Sequence, residues 1–174
     1  DLAGQSYAGI EVNSNNPYSV DYEIGIRRAG FFRPLAHTAS PLTILLDIND
    51  DFKFDNNWKR NVKKAVKNNL TFSEAVEIDE EKINQIVEMF KELSDLKGLS
   101  YQLEPESLKR LLNSEGIRVF FASDEHGQPV ASRIVHEHNN CITDIFAANS
   151  LKARDNGATY FLVGKILELL KEGK

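Results

Sequence analysis

Five basic residues lie close together between residues 57 and 70, and they are the clearest candidates for chemistry in this chain. A helix through this segment has one apolar stripe, formed by Trp58, Val62, Ala65 and Val66. The five basic residues of this segment, which we call the cationic ridge, are Lys59, Arg60, Lys63, Lys64 and Lys67. All of them except Lys59 share the face opposite that stripe. Lysine and arginine neutralise phosphate with modest geometric demand, so the ridge predicts an anionic ligand. A solvated helix face that packs through Trp58 is the alternative.

Composition limits the classes of protein to which this chain can belong. The 174 residues are 41% hydrophobic and 27% charged, which is ordinary for a globular protein and excludes disordered and collagen-like classes. A net charge of -5 argues against nucleic-acid binding over the whole surface but leaves room for a local basic patch. The single cysteine, Cys141, fits a reducing compartment, and we expect a cytoplasmic location. No apolar run is long enough to predict a membrane-spanning helix.

Periodicity divides the chain into a short first region and a longer second one. Before the cationic ridge, the pattern predicts a strand over 6–12, a helix that ends near Gly30, and a strand over 42–48. After the ridge, it predicts a strand over 71–78, a helix capped by Asp79 and a helix opened by Pro105. Strands over 117–122, 130–138 and 141–148 follow, with Asn139 and Asn140 as a tight turn, and a last helix is opened by residues 154–158.

This order of elements, counted from Leu70, resembles the front part of the GNAT acyltransferase fold. The segment Trp58 to Ala65 is similar to the basic helix that joins the two GNAT-like halves of Fem-type transferases, which add amino acids to peptidoglycan precursors. Lys97-Gly98, the run from Asp124 to Ala131 and the closing helix are similar to the same proteins and their acetyltransferase relatives. The resemblance implies an α/β (α+β) fold, a GNAT-like mixed sheet flanked by helices, in parts of two tandem halves.

The resemblance also implies a division of the chain. Residues 1–54 would be the C-terminal part of a first half, 55–69 the connecting helix, and 70–174 the front part of a second half that is cut short. A permuted single domain is the other arrangement that these pieces allow. We favour a fragment.

The resemblance places a donor site at the turn before the last helix. GNAT enzymes bind the pyrophosphate of coenzyme A on backbone N–H groups at such a helix N-terminus. Arg154 and Gly157 match the first two anchors of that loop, whereas Thr159 adds bulk at the last one and Asp155 adds repulsion. The donor-binding residues implied by the resemblance are Arg154, Gly157 and Ala158. An ordinary helix start capped by Asp155 or Asn156 is the alternative. Fem-type proteins generally lack a good version of this loop because their donor is aminoacyl-tRNA.

Catalytic residues are not identified by the sequence. A general base would be a carboxylate or a histidine, and Glu137, Asp144 and His136 are the available candidates on the predicted hairpin. The alternation of that hairpin places Ser132, Ile134, His136 and His138 with Cys141, Thr143, Ile145 and Ala147, and places Phe146 on the other face with Arg133. Two histidines and one thiol are a weak metal signal, and we expect no metal site.

The sequence therefore predicts a bacterial transferase that moves an aminoacyl or acyl group onto an amine of a peptidoglycan-type precursor. Its donor would be aminoacyl-tRNA or acyl-coenzyme A, with no tightly bound cofactor. The substrate would contact Lys59, Arg60, Lys63 and Lys64, and tRNA is a candidate partner. An acetyl-coenzyme A dependent N-acetyltransferase acting on a sugar or small amine is one alternative. A non-catalytic GNAT-like binding module is the other.

Overall fold

The computed structural model describes residues 20–30, 46–48, 53–100, 102–138 and 141–173. The chain divides into two compact units, Asp1–Leu45 and Leu46–Lys174. In the first unit, helix α1 spans Val20–Arg28, and Gly30 follows it with a φ of 91°, in the left-handed region. The predicted helix is confirmed. The predicted strand over 6–12 and residues 42–45 of the next one lie outside the described residues.

The second unit contains the sheet and the helices that cover it. Its described elements, in chain order, are α2 Asn56–Lys67, β1 Thr71–Glu74, α3 Glu80–Lys97, α4 Pro105–Leu112, β2 Ile117–Ser123, β3 Pro129–His138, β4 Cys141–Asn149, α5 Leu151–Asn156 and α6 Ala158–Lys171. The described strands form one sheet in the order β1-β2-β3-β4, and each neighbouring pair is antiparallel. The predicted fold class, an α/β sheet flanked by helices, is confirmed.

Each face of the sheet buries its own apolar cluster. Alternation along β2 places Phe120 and Ala122 in one cluster, which α6 completes with Phe161, Leu162 and Ile166. Val119 and Phe121 point to the opposite cluster, which α3 and α4 complete with Ile83, Ile86, Phe90 and Leu108. The unit therefore has three layers, with α2, α5 and α6 on one side of the sheet and α3 and α4 on the other.

Several helix boundaries agree with the predicted capping residues. The Asp79 side chain accepts a hydrogen bond from the Lys82 N–H at 2.8 Å, and Gly98 closes α3 in the left-handed conformation. Pro105 occupies the first turn of α4 as expected. No described helix is long and apolar enough to span a bilayer.

Two predicted strands are corrected. The strand over 71–78 ends at Glu74, and Val76 beyond it is 97% exposed, so its apolar side chain does not mark a strand facing the core. Residues 46–48, the described end of the predicted strand over 42–48, form no strand, and Ile48 lies in a turn. Asn139 and Asn140, the predicted turn between β3 and β4, lie outside the described residues.

A β-bulge corrects the predicted faces of β4. Ile134 pairs with Phe146 and Val135 pairs with Asp144, so Ile145 is an extra residue without a partner in β3. The bulge moves Phe146 to the α3 side, where its ring lies 5.2 Å from that of Phe90. Strict alternation had placed Phe146 with Arg133, and this was wrong. Before the bulge, the predicted pairs His136 with Thr143 and His138 with Cys141 are confirmed.

Candidate functional site: a groove beside a cationic helix

Helix α2 begins at a well-formed cap and presents its basic residues to solvent. The Asp55 side chain accepts a hydrogen bond from the Trp58 N–H at 2.6 Å, which satisfies one of the free donors at the helix start. Lys64 and Lys67 lie in the last turn, where the helix dipole favours positive charge. Ala65 is buried against the core, whereas Val66 is 62% exposed, so Val66 does not continue the buried stripe as the sequence predicted.

The cationic ridge has no acidic partner among the described residues. All five side chains are exposed, and the described contact of Arg60 is with a neutral group, because its Nη2 donates to the Asn57 Oδ1 at 2.8 Å. The salt bridges between described residues lie elsewhere in the unit. The ridge therefore keeps five positive charges uncompensated within the described part of an acidic chain.

A groove of about 260 Å³ lies between α2 and α6, along the edge of the ridge. Its lining is mainly apolar, with lysines at the rim, and consists of Phe54, Trp58, Lys59, Val62, Lys63, Phe161, Gly164, Lys165 and Glu168. Two of the predicted substrate-binding residues, Lys59 and Lys63, line it. Arg60 and Lys64 lie on the ridge outside it. Whether these four residues bind a substrate stays a prediction.

Aromatic side chains form one wall of the groove. The ring of Trp58 stacks on Phe54 with centroids 4.6 Å apart and meets Tyr160 of α6 edge-on at 5.2 Å. The Trp58 Nε1 is buried and has no hydrogen-bond partner among the described residues. Gly164 lies next to this nitrogen, since a Cβ there would make an ordinary contact with it at 3.8 Å. The tryptophan thus holds α2 against α6 and shapes the groove.

Sequence reasoning missed Lys165 and Glu168 as groove residues. Lys165 Nζ lies 2.6 Å from Glu168 Oε2, within one turn of α6. The helical periodicity of α6 identifies its buried stripe, but it carries no information on which other helix packs beside that stripe. Two glycines that lie close to α2 are the signal that could have located the groove: Gly157, at the start of α6, and Gly164, within it.

The residues predicted to hold a pyrophosphate lie at a junction between two helices. Arg154 is in the last turn of α5, so the predicted helix opening at Arg154 is corrected: α5 begins at Leu151, and α6 begins at Ala158. Gly157 separates them with a φ of 78°. Both Gly157 and Ala158 are buried, and a Cβ on Gly157 would lie 2.3 Å from the backbone oxygen of Asn61 in α2. Helix α2 therefore covers this junction.

Two polar groups at the start of α6 already have local hydrogen-bond partners. The Ala158 N–H donates to the Asn156 side chain at 3.1 Å, and the Thr159 hydroxyl donates to Asn149 Oδ1 at 2.9 Å. An anion-binding helix start needs free N–H groups that a phosphate can approach. The binding roles of Arg154, Gly157 and Ala158 stay a prediction, and the packing of α2 leaves little room for a pyrophosphate there.

A second charged cluster lies on the sheet and consists of ion pairs. Arg118 binds Glu74 through two hydrogen bonds of 2.7 and 2.9 Å and binds Glu137 through a third of 3.1 Å. The hydrogen bonds to Glu74, and then those to Glu137, raise the pKa of Arg118 above its ordinary value. Arg133 pairs with Asp144 on the same face. We call these five residues the paired cluster.

The candidate general bases are thus engaged with other groups. Glu137 and Asp144 both accept hydrogen bonds from arginine, and the His136 ring stacks on His138 with centroids 5.8 Å apart. The structure brings Glu137 and Asp144 to one face but does not bring either to the groove. No group of three metal-ligating side chains occurs within the described ranges, and Cys141 is a free, half-buried thiol.

No protein-family model matches the chain, and no curated protein matches it in sequence. Among solved structures, it is similar to L-PGS from Bacillus licheniformis, with 15% identity and a TM-score of 0.52, over 68% of this chain and 36% of that one. It is also similar to an aminoglycoside acetyltransferase from an uncultured soil metagenomic sample, in complex with sisomicin, with 22% identity and a TM-score of 0.47, over 62% of this chain and 74% of that one.

A third similar structure is the C-terminal domain (DUF2156) of an Agrobacterium fabrum protein provisionally named a lysylphosphatidylglycerol synthetase, with 15% identity and a TM-score of 0.46, over 68% of this chain and 38% of that one. Identities this low show likeness of fold alone. The fold is GNAT-like, and the chain spans about a third of the length of L-PGS. The Fem-type resemblance is not among these findings.

Proposed function

We propose that this chain is part of a transferase that moves an aminoacyl or acyl group onto an amine of a cell-envelope precursor. The GNAT-like fold supports the transferase class by analogy. Because the chain spans 36% of L-PGS, the activity of that whole protein is an analogy for this chain and not a finding about it.

The observation that carries the proposal is the position of α2. It covers the junction at Gly157, where a coenzyme A pyrophosphate would bind, and it presents five cations that have no acidic partner in the described part of the chain. A donor with many phosphates and no need for that junction fits this arrangement better than acetyl-coenzyme A. Aminoacyl-tRNA is such a donor.

The chemistry that this proposal requires is direct transfer. The acceptor amine attacks the carbonyl carbon of the aminoacyl ester, the bond from that carbon to the tRNA 3′ oxygen breaks, and the amine proton passes to the departing oxygen or to a base. Binding both substrates side by side supplies much of the acceleration in reactions of this kind. We assign no catalytic residue, because the candidate carboxylates are paired with arginines.

The test is a transfer assay with two donors and two acceptors. The 174-residue chain is incubated with labelled aminoacyl-tRNA or labelled acetyl-coenzyme A, and with either a peptidoglycan-type amine precursor or a phosphatidylglycerol lipid, the acceptor suggested by analogy with L-PGS. We expect label from aminoacyl-tRNA in the amine precursor. Label in the lipid instead would change the acceptor and keep the donor. If only acetyl-coenzyme A transferred its label to an acceptor, the proposal would be wrong and the protein would be an N-acetyltransferase.

A further inference from the structure

The α2–α6 groove and the cationic ridge meet along one edge, because Lys59 and Lys63 belong to both. Val66 lies one helical turn after Val62, beside the ridge, and is 62% exposed. This surface therefore combines unpaired positive charge with accessible apolar area. It fits a partner that is anionic at its surface and apolar just beneath.

We infer that this surface docks the domain onto an anionic membrane, with lipid phosphates on Lys59 and Lys63 and one acyl chain in the groove. Amphipathic helices bind membrane interfaces through the same combination of basic and apolar side chains. Each lysine or arginine near an anionic leaflet contributes about fivefold in affinity. The inference goes beyond the proposed transfer, since it concerns attachment and requires no reaction.

The charges of the groove are complementary to lipid phosphate. Among its lining residues Glu168 is the one carboxylate, and Lys165 already holds it at 2.6 Å. Lys59 and Lys63 have no described acidic partner, so a phosphate would meet two uncompensated cations at the rim. On a chain with a net charge of -5, this concentration of positive charge would also orient the domain as it approaches an anionic surface.

The aromatic contacts favour an acyl chain over a nucleic-acid base. Proteins that bind single strands present free ring faces on which bases stack. One face of Trp58 is covered by Phe54, Tyr160 contacts it edge-on, and Phe161 is 5% exposed. The groove thus offers apolar walls in which these aromatic rings already pack on one another. Its volume of about 260 Å³ is below the roughly 300 Å³ at which pockets for drug-sized ligands begin, which suits a segment of one chain.

The test is flotation of the full 174-residue chain with vesicles of phosphatidylcholine, with and without phosphatidylglycerol, at physiological ionic strength. We expect binding only when phosphatidylglycerol is present. Trp58, the single tryptophan of the protein, should shift its emission to shorter wavelength on binding, because the lipid acyl chain would exclude water from the groove. Glycerol phosphate, which carries the headgroup phosphate without a chain, should not displace the protein.

Two variants separate charge from apolar insertion. Lys59→Glu/Lys63→Glu should weaken binding by about tenfold or more, whereas the matched control Lys91→Glu/Lys97→Glu, on exposed positions of α3, should have little effect. Gly164→Leu keeps the charge and fills the groove, and it should weaken binding relative to Gly164→Ala, which adds only a Cβ at ordinary contact distance. Val66→Ser, at an exposed site that does not threaten the fold, should weaken binding by about threefold.

The outcomes are distinct. Loss of binding in the charge-reversal variant together with weaker binding in Gly164→Leu or Val66→Ser supports the inference. Binding that depends on charge but is the same in Gly164→Leu and Val66→Ser as in the unaltered protein would overturn the insertion of an acyl chain into the groove. Binding of a short RNA oligonucleotide without any vesicle binding would replace the membrane with nucleic acid. RNA binding would favour the tRNA donor of the proposed function, and the donor assay alone decides whether transfer occurs.

Discussion

The cationic ridge and the paired cluster differ in how they use the same residue types. In the paired cluster, Arg118 contacts two carboxylates and its side chain is 19% exposed, so its charge is neutralised by residues of the same fold. On the ridge, five basic residues have no described acidic partner and remain exposed. Charges that are compensated inside the fold stabilise it weakly and are closed to ligands, whereas uncompensated charges cost some repulsion and stay available.

Because the paired cluster is neutralised and the ridge is not, the two regions should differ in what a substitution changes. The carboxylates that sequence reasoning favoured as general bases, Glu137 and Asp144, belong to the paired cluster. Lys59 and Lys63, which have no acidic partner among the described residues, line the groove. We therefore expect changes in the paired cluster to alter the free energy of unfolding, and changes on the ridge to alter binding.

The largest effect should come from the contact that holds the ridge in place. Gly157→Ala puts a Cβ 2.3 Å from the Asn61 backbone oxygen at a φ of 78°, so α2 must move. Left-handed strain and overpacking together should lower the free energy of unfolding by about 2–4 kcal/mol. Urea unfolding followed by circular dichroism and Trp58 fluorescence measures this.

The matched control is Gly127→Ala, which has a φ of 77° but nothing within 4 Å of the new Cβ. It should cost only about 1 kcal/mol, the backbone strain alone. Equal losses in the two variants would mean that the contact between α2 and Gly157 is not tight, and the ridge would lose its fixed position over the junction.

The paired cluster should respond next. Arg118→Met leaves Glu74 and Glu137 without their partner, and we expect a loss of about 1–3 kcal/mol in the free energy of unfolding, since hydrogen bonds to charged groups are involved. Arg118→Lys keeps the charge but loses the two-pronged contact with Glu74. Its free energy of unfolding should therefore lie between those of the unaltered protein and Arg118→Met. Thermal and urea unfolding give both values.

Lys109→Met provides the comparison for an exposed pair. Lys109 and Glu80 are 3.7 Å apart, with side chains 45% and 86% exposed. Loss of this ion pair should therefore change the free energy of unfolding by about 0.5 kcal/mol or less. If Arg118→Met costs no more than Lys109→Met, the contrast between the two regions disappears.

On the ridge, the effect should appear in binding and not in stability. Replacing Arg60, Lys63 and Lys64 with glutamate should change the free energy of unfolding by about 0.5 kcal/mol or less, because all three are exposed. Binding of an anionic ligand such as heparin should be lost, and in the unaltered chain it should weaken as salt is raised. Unchanged heparin affinity would return the ridge to a merely solvated helix face.

The smallest effect concerns the cap of α3 and its pH dependence. The backbone hydrogen bond from Lys82, followed by the Lys82 side chain, lowers the pKa of Asp79 from 3.8. Its stabilising effect is therefore present above pH 3.8 and is lost as the pH falls through the lowered value in the folded state. The melting temperature of Asp79→Asn should lie below that of the unaltered chain near neutral pH, and the two should converge in acid. A constant difference across that range would refute the charge contribution.

Local signals predicted much of the fold. Asp79, Gly98 and Pro105 marked helix ends through their own backbone chemistry, and the alternating pattern located β2 and β3. The bulge at Ile145 was missed because strict alternation assumes a period of two along the whole strand and carries no signal for one extra residue. Val76 was assigned to a strand on its type alone, without knowledge of what would cover it.

The candidate site was predictable only in part. The ridge followed from helical spacing, since charge and period both lie within twelve residues. The groove did not, because Lys165 and Gly164 are about a hundred residues away along the chain and meet α2 only through tertiary packing. Residues 154–156 lie in α5, so the turn predicted before the last helix is a break between two helices. Ser150, whose side chain caps α5, was a local signal for this helix that the sequence reasoning did not use.

The most direct test of the account is calorimetric titration of the chain with acetyl-coenzyme A, because the central claim is that α2 occupies the place where its pyrophosphate would bind. We predict no heat of binding, since Gly157 and Ala158 are buried and the Ala158 N–H is already capped. Trp58 fluorescence should likewise stay constant. Micromolar binding that adenosine 3′,5′-bisphosphate competes away would contradict the account and make acetyl-coenzyme A the donor.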